Sequence, residues 1–300
     1  MNSDSLIRSL RALALTALVA STGCAAESVA GSEDGPTAST EQAITNGDDD
    51  AADPAVVALL IGGKVFCSGV LITSNVVVTA AHCVAPGPPE QVYFGAKPSL
   101  KKGGTFIDVS DSKVHPEFDE DTLVNDIAVI GLASKAPVAP APVLTTPFDD
   151  SFKNLPIRLV GFGVTGDGTE NLRKRTGATT ITSFGAEDFR FKPGPSQTCN
   201  GDSGGPALAN IGGKEAVIGI ASSGDSNCKT YGRHIRIDAN LAFIQGYSKA
   251  YAKRQNAGPV ESSGCSMTSR TPGSTSSTAA LVLAVACAAA LRTRRRASAG

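Results

Sequence analysis

One serine of this chain stands in a loop that could hold a nucleophile. Ser203 lies in the run Gly-Asp-Ser-Gly-Gly at positions 201–205. A serine hydroxyl is a weak nucleophile and needs an adjacent base. Glycine tolerates unusual dihedral angles and close approach, so such a loop can aim backbone N–H groups at a developing oxyanion. By itself, the pentapeptide is equally consistent with a tight turn.

The base that Ser203 would need has few candidates. The chain contains three histidines, which are His82, His115 and His234. A histidine base also needs a carboxylate that fixes its tautomer and stabilises the imidazolium. Asp126, in the segment Asn-Asp-Ile-Ala at positions 125–128, could be that carboxylate. The chemistry alone leaves the choice of histidine open.

Three segments taken together resemble the chymotrypsin/trypsin family of serine proteases. They are Thr-Ala-Ala-His-Cys at 79–83, Asn-Asp-Ile-Ala at 125–128 and Gly-Asp-Ser-Gly-Gly-Pro at 201–206, in the family's order. His-Pro-Glu-Phe at 115–118 and Gly-Phe-Gly at 161–163 are also similar to it. The resemblance covers residues 44–254. It implies an all-β fold of two six-stranded antiparallel β-barrels with a C-terminal helix.

The same resemblance implies a serine endopeptidase that hydrolyses protein or peptide substrates. It assigns His82, Asp126 and Ser203 to a catalytic triad, and the backbone N–H groups of Gly201 and Ser203 to an oxyanion hole. No cofactor is implied, because the triad carries the chemistry through an acyl-enzyme.

Four of the seven cysteines lie in the region that the resemblance covers. Four cysteines in an exported chain suggest two disulfides, and three connectivities are open. The resemblance implies the pairs Cys67–Cys83 and Cys199–Cys228.

Activation by proteolysis is also implied. Residues 44–47, Ile-Thr-Asn-Gly, resemble the mature N-terminus of the family. Cleavage after Ala43 would free the amine of Ile44 to pair with Asp202 and order the oxyanion loop. Because Ala43 is not basic, we expect an activating protease other than a trypsin. The alternative is that residues 25–43 are only a spacer.

The expected specificity pocket departs from that of trypsin. Gln197 stands six residues before Ser203, where trypsins carry an aspartate. A neutral amide offers no charge partner to a Lys or Arg side chain, so we expect specificity that is not of the trypsin type. His234, with Thr198, would favour an acidic or polar side chain, unless it is a structural hydrogen-bonding residue. The pocket residues implied are Gln197, Thr198, Ser222, Ser223, Gly224 and Gly232.

The pattern of apolar residues along the chain also predicts an all-β core. Short β-branched runs at 56–61, 70–72, 76–78, 127–132, 157–160 and 217–220 are separated by Gly, Pro, Asn and Asp, which is typical of a sandwich or barrel. One helical pattern follows, with Leu241, Ile244, Tyr247 and Tyr251 at helical spacing. Asp238 is its expected N-cap.

The N-terminal segments are typical of export. Residues 1–24 are predicted to be a signal peptide, because Arg8 and Arg11 precede an apolar run too short to span a bilayer. The residues before Cys24 resemble a lipobox, so Cys24 is either lipidated or cut off. Residues 25–43 are predicted to be a leader or pro-segment.

The C-terminal segments predict surface sorting. Residues 255–278 form a Gly/Ser/Pro/Thr-rich linker. Residues 279–300 form a hydrophobic sorting or membrane tail that ends in an arginine cluster. With Gly264-Cys265, this tail resembles a myxosortase-type signal. We expect signal peptidase and sorting machinery as partners, and a location at the cell envelope or surface, or release outside the cell.

Composition limits the other partners. A formal net charge of −1 gives no reason to expect nucleic acid, whose binding usually needs a basic face. The scattered histidines predict no zinc site, and the loop Gly95–Thr105, which contains Lys101 and Lys102 and no acid, predicts no calcium. We expect a monomer.

Two other functions compete with this interpretation. A protease-like surface binding protein that no longer cuts is the alternative, although such proteins commonly lose triad residues. An α/β esterase would place its serine before its acid and histidine, which is the reverse of the order here.

Overall fold

The computed structural model describes residues 44, 47–98, 103–163, 173–192, 194 and 196–257. The expected signal peptide with Cys24, the leader, the sorting tail, Cys265, most of the linker and residues 99–102 of the loop expected to lack calcium lie outside them. Within these ranges, no helix has both the length and the apolar character that crossing a membrane requires.

Short strands dominate the described part of the chain. In chain order they are β1 (Asp48–Asp49), β2 (Val56–Ile61), β3 (Lys64–Leu71), β4 (Val76–Thr79), β5 (Gln91–Phe94), β6 (Thr105–Val114), β7 (Ala128–Leu132), β8 (Pro156–Gly161), β9 (Arg175–Phe184), β10 (Asp188–Phe191), β11 (Pro206–Ile211), β12 (Lys214–Gly224) and β13 (Gly232–Arg236). Helix α1 (Leu241–Asn256) follows them.

The first barrel closes from six antiparallel strands in the order β2-β3-β4-β7-β6-β5. Every residue of β4 and β7 is buried, which explains why their β-branched runs are visible in the sequence. Val57, Leu59, Leu71, Val77 and Ile130 meet in its core.

The second barrel contains β8-β9-β10-β13-β12-β11 and closes through the pairing of β11 with β8. Strand β1 adds two residues to the edge of β9. The core of the second barrel is richer in aromatic residues than that of the first and includes Phe148, Phe189 and Phe191, together with Ile44. The predicted all-β fold of two six-stranded antiparallel barrels is therefore confirmed.

Asp238 does not cap helix α1, contrary to the expectation. It lies in a 3₁₀ turn, Asp238–Asn240, that precedes the helix. Its carboxylate accepts a hydrogen bond from the Phe148 N–H at 3.0 Å and pairs with Arg236. The Asp238 carboxylate therefore bonds to Phe148 and Arg236 and does not cap the free N–H groups at the start of the helix.

Helix α1 forms where the spacing predicted it and ends at Asn256, two residues into the expected linker. Within the helix, the rings of Tyr247 and Tyr251 stack with centroids 5.7 Å apart. The Arg254 guanidinium lies over both rings, at 5.9 and 5.4 Å from their centroids.

Candidate active site

His82 and Asp126 are held together at the edge of the first barrel. His82 follows β4 in a 3₁₀ turn, Ala81–Cys83, and Asp126 lies just before β7. His82 Nδ1 lies 2.8 Å from Asp126 Oδ2, and the His82 backbone N–H donates to Asp126 Oδ1 at 2.9 Å. Because a carboxylate only accepts, Nδ1 carries the proton and Nε2 is left as the basic nitrogen.

Asp126 has a third partner that the sequence did not reveal. Asp126 is 0% exposed, and Ser222 Oγ donates to its Oδ2 at 2.7 Å. A buried carboxylate remains charged only if hydrogen bonds replace its lost hydration. Ser222 was expected as a pocket residue, and it also supports the histidine–carboxylate pair.

Ser203 lies in the loop before β11, and it lines a cavity of about 370 Å³ together with His82. Its backbone carbonyl accepts a hydrogen bond from the Ser68 N–H at 2.8 Å, which ties this second-barrel loop to β3 of the first barrel. The structure therefore brings His82, Asp126 and Ser203 to one place between the barrels.

The other two histidines lie elsewhere. His115 Nδ1 accepts a hydrogen bond from the Glu117 N–H at 3.2 Å. His234 is fully buried, and its ring contacts Phe189 and Phe191 at centroid distances of 5.4 and 5.3 Å.

The loop around Ser203 has a backbone that needs glycine. Gly201 and Gly204 have φ values of 87° and 81°, a region that side chains disfavour. A Cβ on Gly204 would also lie 2.1 Å from Thr79 Oγ1. Ser68 Oγ donates to the Gly201 carbonyl at 2.9 Å, so that carbonyl is held by the first barrel. Neither contact of Ser68 was predicted, because a serine within a strand carries no motif.

Asp202 lies in a closed pocket beside Ile44. Its Oδ2 accepts from the Ile44 nitrogen at 3.1 Å and from the Cys199 N–H at 3.0 Å, and its Oδ1 accepts from the Gly163 N–H at 2.8 Å. Burial raises the pKa of Asp202 and the hydrogen bonds lower it. Because the effect of burial is larger, the pKa is about 6. In the uncut chain, the Ile44 nitrogen is a neutral amide.

Both implied disulfides occur in the structure. Cys67 is bonded to Cys83 beside His82, and Cys199 to Cys228 beside the pocket. The ligand atoms of Cys67, His82 and Cys83 lie within 4.8 Å of one another. Their sulfurs are in the disulfide, so this cluster offers no thiolate to a metal ion.

A second cavity, of about 200 Å³, opens beside Ser203 and is predominantly polar. Of the residues expected in the specificity pocket, Thr198, Ser222, Ser223 and Gly224 line it. The remaining lining residues are Cys199, Asn200, Ala221, Asp225, Ser226 and Cys228. Asp225 is an acidic wall residue that sequence reasoning missed.

Gln197, Gly232 and His234 are not among the residues that line this cavity. Gln197 is 1% exposed and donates through Nε2 to Asp225 Oδ1 at 3.0 Å and to the Tyr231 carbonyl at 2.9 Å. Gly232 faces Phe191, because a Cβ there would lie 2.2 Å from the Phe191 ring. Its lack of a side chain makes room for the core and not for a substrate.

Comparisons with known proteins identify the family of this chain. The trypsin family model matches residues 44–244. A trypsin from Saccharopolyspora erythraea is 30% identical over 226 residues, which are 69% of this chain and 95% of that protein. Chymase from Mus musculus is 33% identical over 183 residues, 54% of this chain and 71% of the relative. Serine protease 56 from Mus musculus is 29% identical over 195 residues, 57% of this chain but only 32% of that longer protein. By the family match and by its two-barrel fold, the chain belongs to the trypsin family of serine endopeptidases.

Proposed function

We propose that Ser203 is the nucleophile of this endopeptidase, His82 its general base and Asp126 the residue that orients His82. The observation that carries this proposal is the buried Asp126 carboxylate on His82 Nδ1. It leaves Nε2 free to take a proton in the cavity that His82 shares with Ser203.

The reaction follows from these positions. Ser203 Oγ attacks the scissile carbonyl carbon while its proton moves to His82 Nε2, and Asp126 stabilises the imidazolium. The backbone N–H groups of Gly201 and Ser203 receive the oxyanion. The C–N bond then breaks, the amine leaves with the proton from His82, and water releases the acyl group by the same steps.

The chain is proposed to be a zymogen that is activated by cleavage before Ile44. The Ile44 nitrogen already lies 3.1 Å from Asp202 Oδ2. Cleavage would turn this neutral amide into an ammonium group, and a buried carboxylate that is desolvated gains most from such a partner. Since Asp202 immediately precedes Ser203, this ion pair would fix the oxyanion loop.

On the identity of Gln197 alone, specificity is proposed to differ from that of trypsin. Trypsins bind Lys and Arg through a carboxylate at the pocket floor, where this chain has the neutral Gln197. Both hydrogens of its amide nitrogen are engaged by Asp225 and Tyr231. A basic substrate side chain would therefore find no charge partner at that position.

The remaining expectations stay proposals. They are export by a signal peptide over residues 1–24, a pro-segment over residues 25–43, and a linker and sorting tail from residue 255 onward. Lipidation of Cys24, sorting at Cys265, residence at the cell envelope or surface, an activating protease and a monomeric state belong with them. The two disulfides are typical of a protein that leaves the reducing cytoplasm.

Fluorophosphonate labelling tests the proposed chemistry. The chain cleaved before Ile44, with its free amine established by N-terminal sequencing, should be labelled, whereas Ser203→Ala should not. The uncut chain should be labelled far more slowly. If the cleaved chain is not labelled, the endopeptidase mechanism fails and the alternative, a protease-like surface binding protein, takes its place.

A further inference from the structure

Asp225 places a carboxyl group in the wall of the cavity beside Ser203. It follows directly after β12, and it lines the cavity with Ser223, Gly224 and Ser226. It is the one acidic residue among the described residues that line this cavity, and none of those lining residues is Lys, Arg or His. The cavity is thus polar, with a single source of formal charge in its wall.

The carboxyl group of Asp225 is held rigidly. Its Oδ1 accepts hydrogen bonds from the backbone N–H groups of Thr230, Lys229 and Tyr231 at 2.7, 3.0 and 3.2 Å. The Gln197 amide adds a fourth donor at 3.0 Å. Oδ2 accepts from the Lys229 N–H at 3.1 Å, so it keeps lone pairs for a further donor.

These bonds also keep the group charged. Partial burial by itself would raise the pKa of Asp225, but the N–H groups of Thr230, Lys229 and Tyr231 and the Gln197 amide together hold that pKa well below its ordinary value. Asp225 therefore carries its negative charge throughout the neutral range. Gln197, which is itself neutral, serves as one of the donors that fix the carboxylate.

We infer that Asp225 is a specificity-determining residue, and that the cavity takes a substrate side chain with a positively charged end, that of lysine or arginine. This inference rests on the proposed function, because it assumes that the cavity binds the side chain before the scissile bond. The charge comes from Asp225 in the wall of the cavity, directly after the end of β12. It does not come from the sequence position of Gln197, where trypsins carry their aspartate. A basic preference would thus be reached without the trypsin arrangement, and it would replace the non-trypsin specificity that Gln197 by itself predicts.

The test compares two peptide amides that differ only in arginine or citrulline before the scissile bond. Citrulline keeps the shape of arginine but lacks its charge. The cleaved wild-type chain should prefer arginine in kcat/KM by roughly 10- to 100-fold, the range expected for a charge-assisted hydrogen bond. Asp225→Asn should bring the ratio close to one. Asp225→Glu should restore part of it, and Asp150→Asn, which removes an exposed charge from a 3₁₀ turn before β8, should leave it unchanged.

The ratio separates charge recognition from damage to the loop. Loss of the bonds to Lys229, Thr230 and Tyr231 would slow both substrates alike, whereas loss of the charge slows only the arginine substrate. Equal kcat/KM for arginine and citrulline in the wild type, or an unchanged ratio in Asp225→Asn, would overturn the inference.

A binding measurement makes the two proposals fail separately. Calorimetry should detect butylguanidinium binding roughly 10- to 100-fold more tightly than neutral butylurea, and Asp225→Asn should abolish the difference. This readout needs no reaction at Ser203. Fluorophosphonate labelling without a cation preference would sink the assignment of Asp225 alone. A cation preference without labelling would sink the proposed chemistry and leave Asp225 as the determinant of ligand charge.

Discussion

Ser222 Oγ donates a hydrogen bond of 2.7 Å to Asp126 Oδ2, the same oxygen that lies 2.8 Å from His82 Nδ1. The pocket strand β12 thereby supports the charge that orients His82. Ser222 serves two purposes, because it lines the cavity beside Ser203 while its side chain bonds the buried carboxylate. The second barrel thus contributes to the orientation of a histidine that the first barrel carries.

The variant Ser222→Ala should lose part of this support. Removal of one hydrogen bond to a buried charged group costs about 1.5 kcal/mol or more, so kcat/KM and the rate of fluorophosphonate labelling should both fall roughly tenfold. Ser110→Ala is the matched control, because it removes a hydroxyl that bonds the Gly131 carbonyl at 3.2 Å away from the site. Wild-type labelling rates in Ser222→Ala would show that the bond is catalytically irrelevant.

Asp202 should make the stability of the uncut chain depend on pH in an unusual direction. Its pKa of about 6 lies above the ordinary value of 3.8, so the folded chain binds the proton more tightly than the unfolded chain. The free energy of unfolding should therefore decrease as pH rises from about 4 to 6. Asp202→Asn should remove this contribution, which amounts to about 3 kcal/mol.

Urea unfolding of the uncut chain and its Asp202→Asn variant between pH 4 and 7 measures that difference. It should grow in favour of the variant as pH rises. In the cleaved chain, the Ile44 ammonium lowers the Asp202 pKa, so the difference should reverse and favour the wild type at pH 7. A difference that is independent of pH in the uncut chain would contradict the burial argument.

The fold was predictable where burial is uniform. The runs 56–61 and 76–78 are apolar throughout because β2 and β4 are almost fully buried. Strands β6 and β9 escaped detection because their buried residues are few and separated by exposed polar ones. Their positions follow from long-range pairing with β7 and β8, which no local pattern contains.

The site was predictable where chemistry restricts the residue type. His82, Asp126 and Ser203 stand in motifs, and the structure brings them together. The pocket was harder, because Gln197 and Asp225 are 28 residues apart and meet only through the fold of the loop before β13. The sequence position of Gln197 was informative, but the direction of its side chain depends on the loop that holds Asp225.

Lys174 is a buried cation that anchors the segment before β2. Its side chain is 2% exposed. The ammonium group donates hydrogen bonds to the backbone carbonyl of Asp53 and, at 3.3 Å, to that of Val56. The same nitrogen lies 3.9 Å from Asp50 Oδ2. Burial lowers the pKa of Lys174 and raises that of Asp50. Each charge therefore depends on the other for its compensation.

The variant Lys174→Met should destabilise the protein by about 3 kcal/mol at pH 8, because it leaves Asp50 buried without its cation. The loss should shrink as pH falls, because burial raises the pKa of Asp50 and so favours its uptake of a proton. Lys113→Met, at an exposed position of β6, is the matched control and should stay within about 0.5 kcal/mol of wild type. Chemical denaturation of both variants decides the matter, and equal stabilities would refute the role of Lys174.

His234 should make the folded protein sensitive to acid. Burial lowers the pKa of His234 from 6.5 to about 3, and neither ring nitrogen has a hydrogen-bond partner among the described residues. The unfolded chain takes up a proton below about pH 6.5, whereas the folded chain resists it until about pH 3. The free energy of unfolding should therefore decrease as pH falls through this window.

The variant His234→Phe should flatten that decrease. Its ring can lie against Phe189 and Phe191, and replacing an unsatisfied buried polar group by an apolar one of similar shape is often neutral or stabilising. The difference in unfolding free energy between variant and wild type should thus rise in favour of the variant from pH 7 to pH 4. His115→Gln, which removes a partly exposed histidine of the loop before β7, should keep most of the wild-type slope. If His234→Phe instead retains the full wild-type slope, the acid sensitivity must arise from groups other than His234.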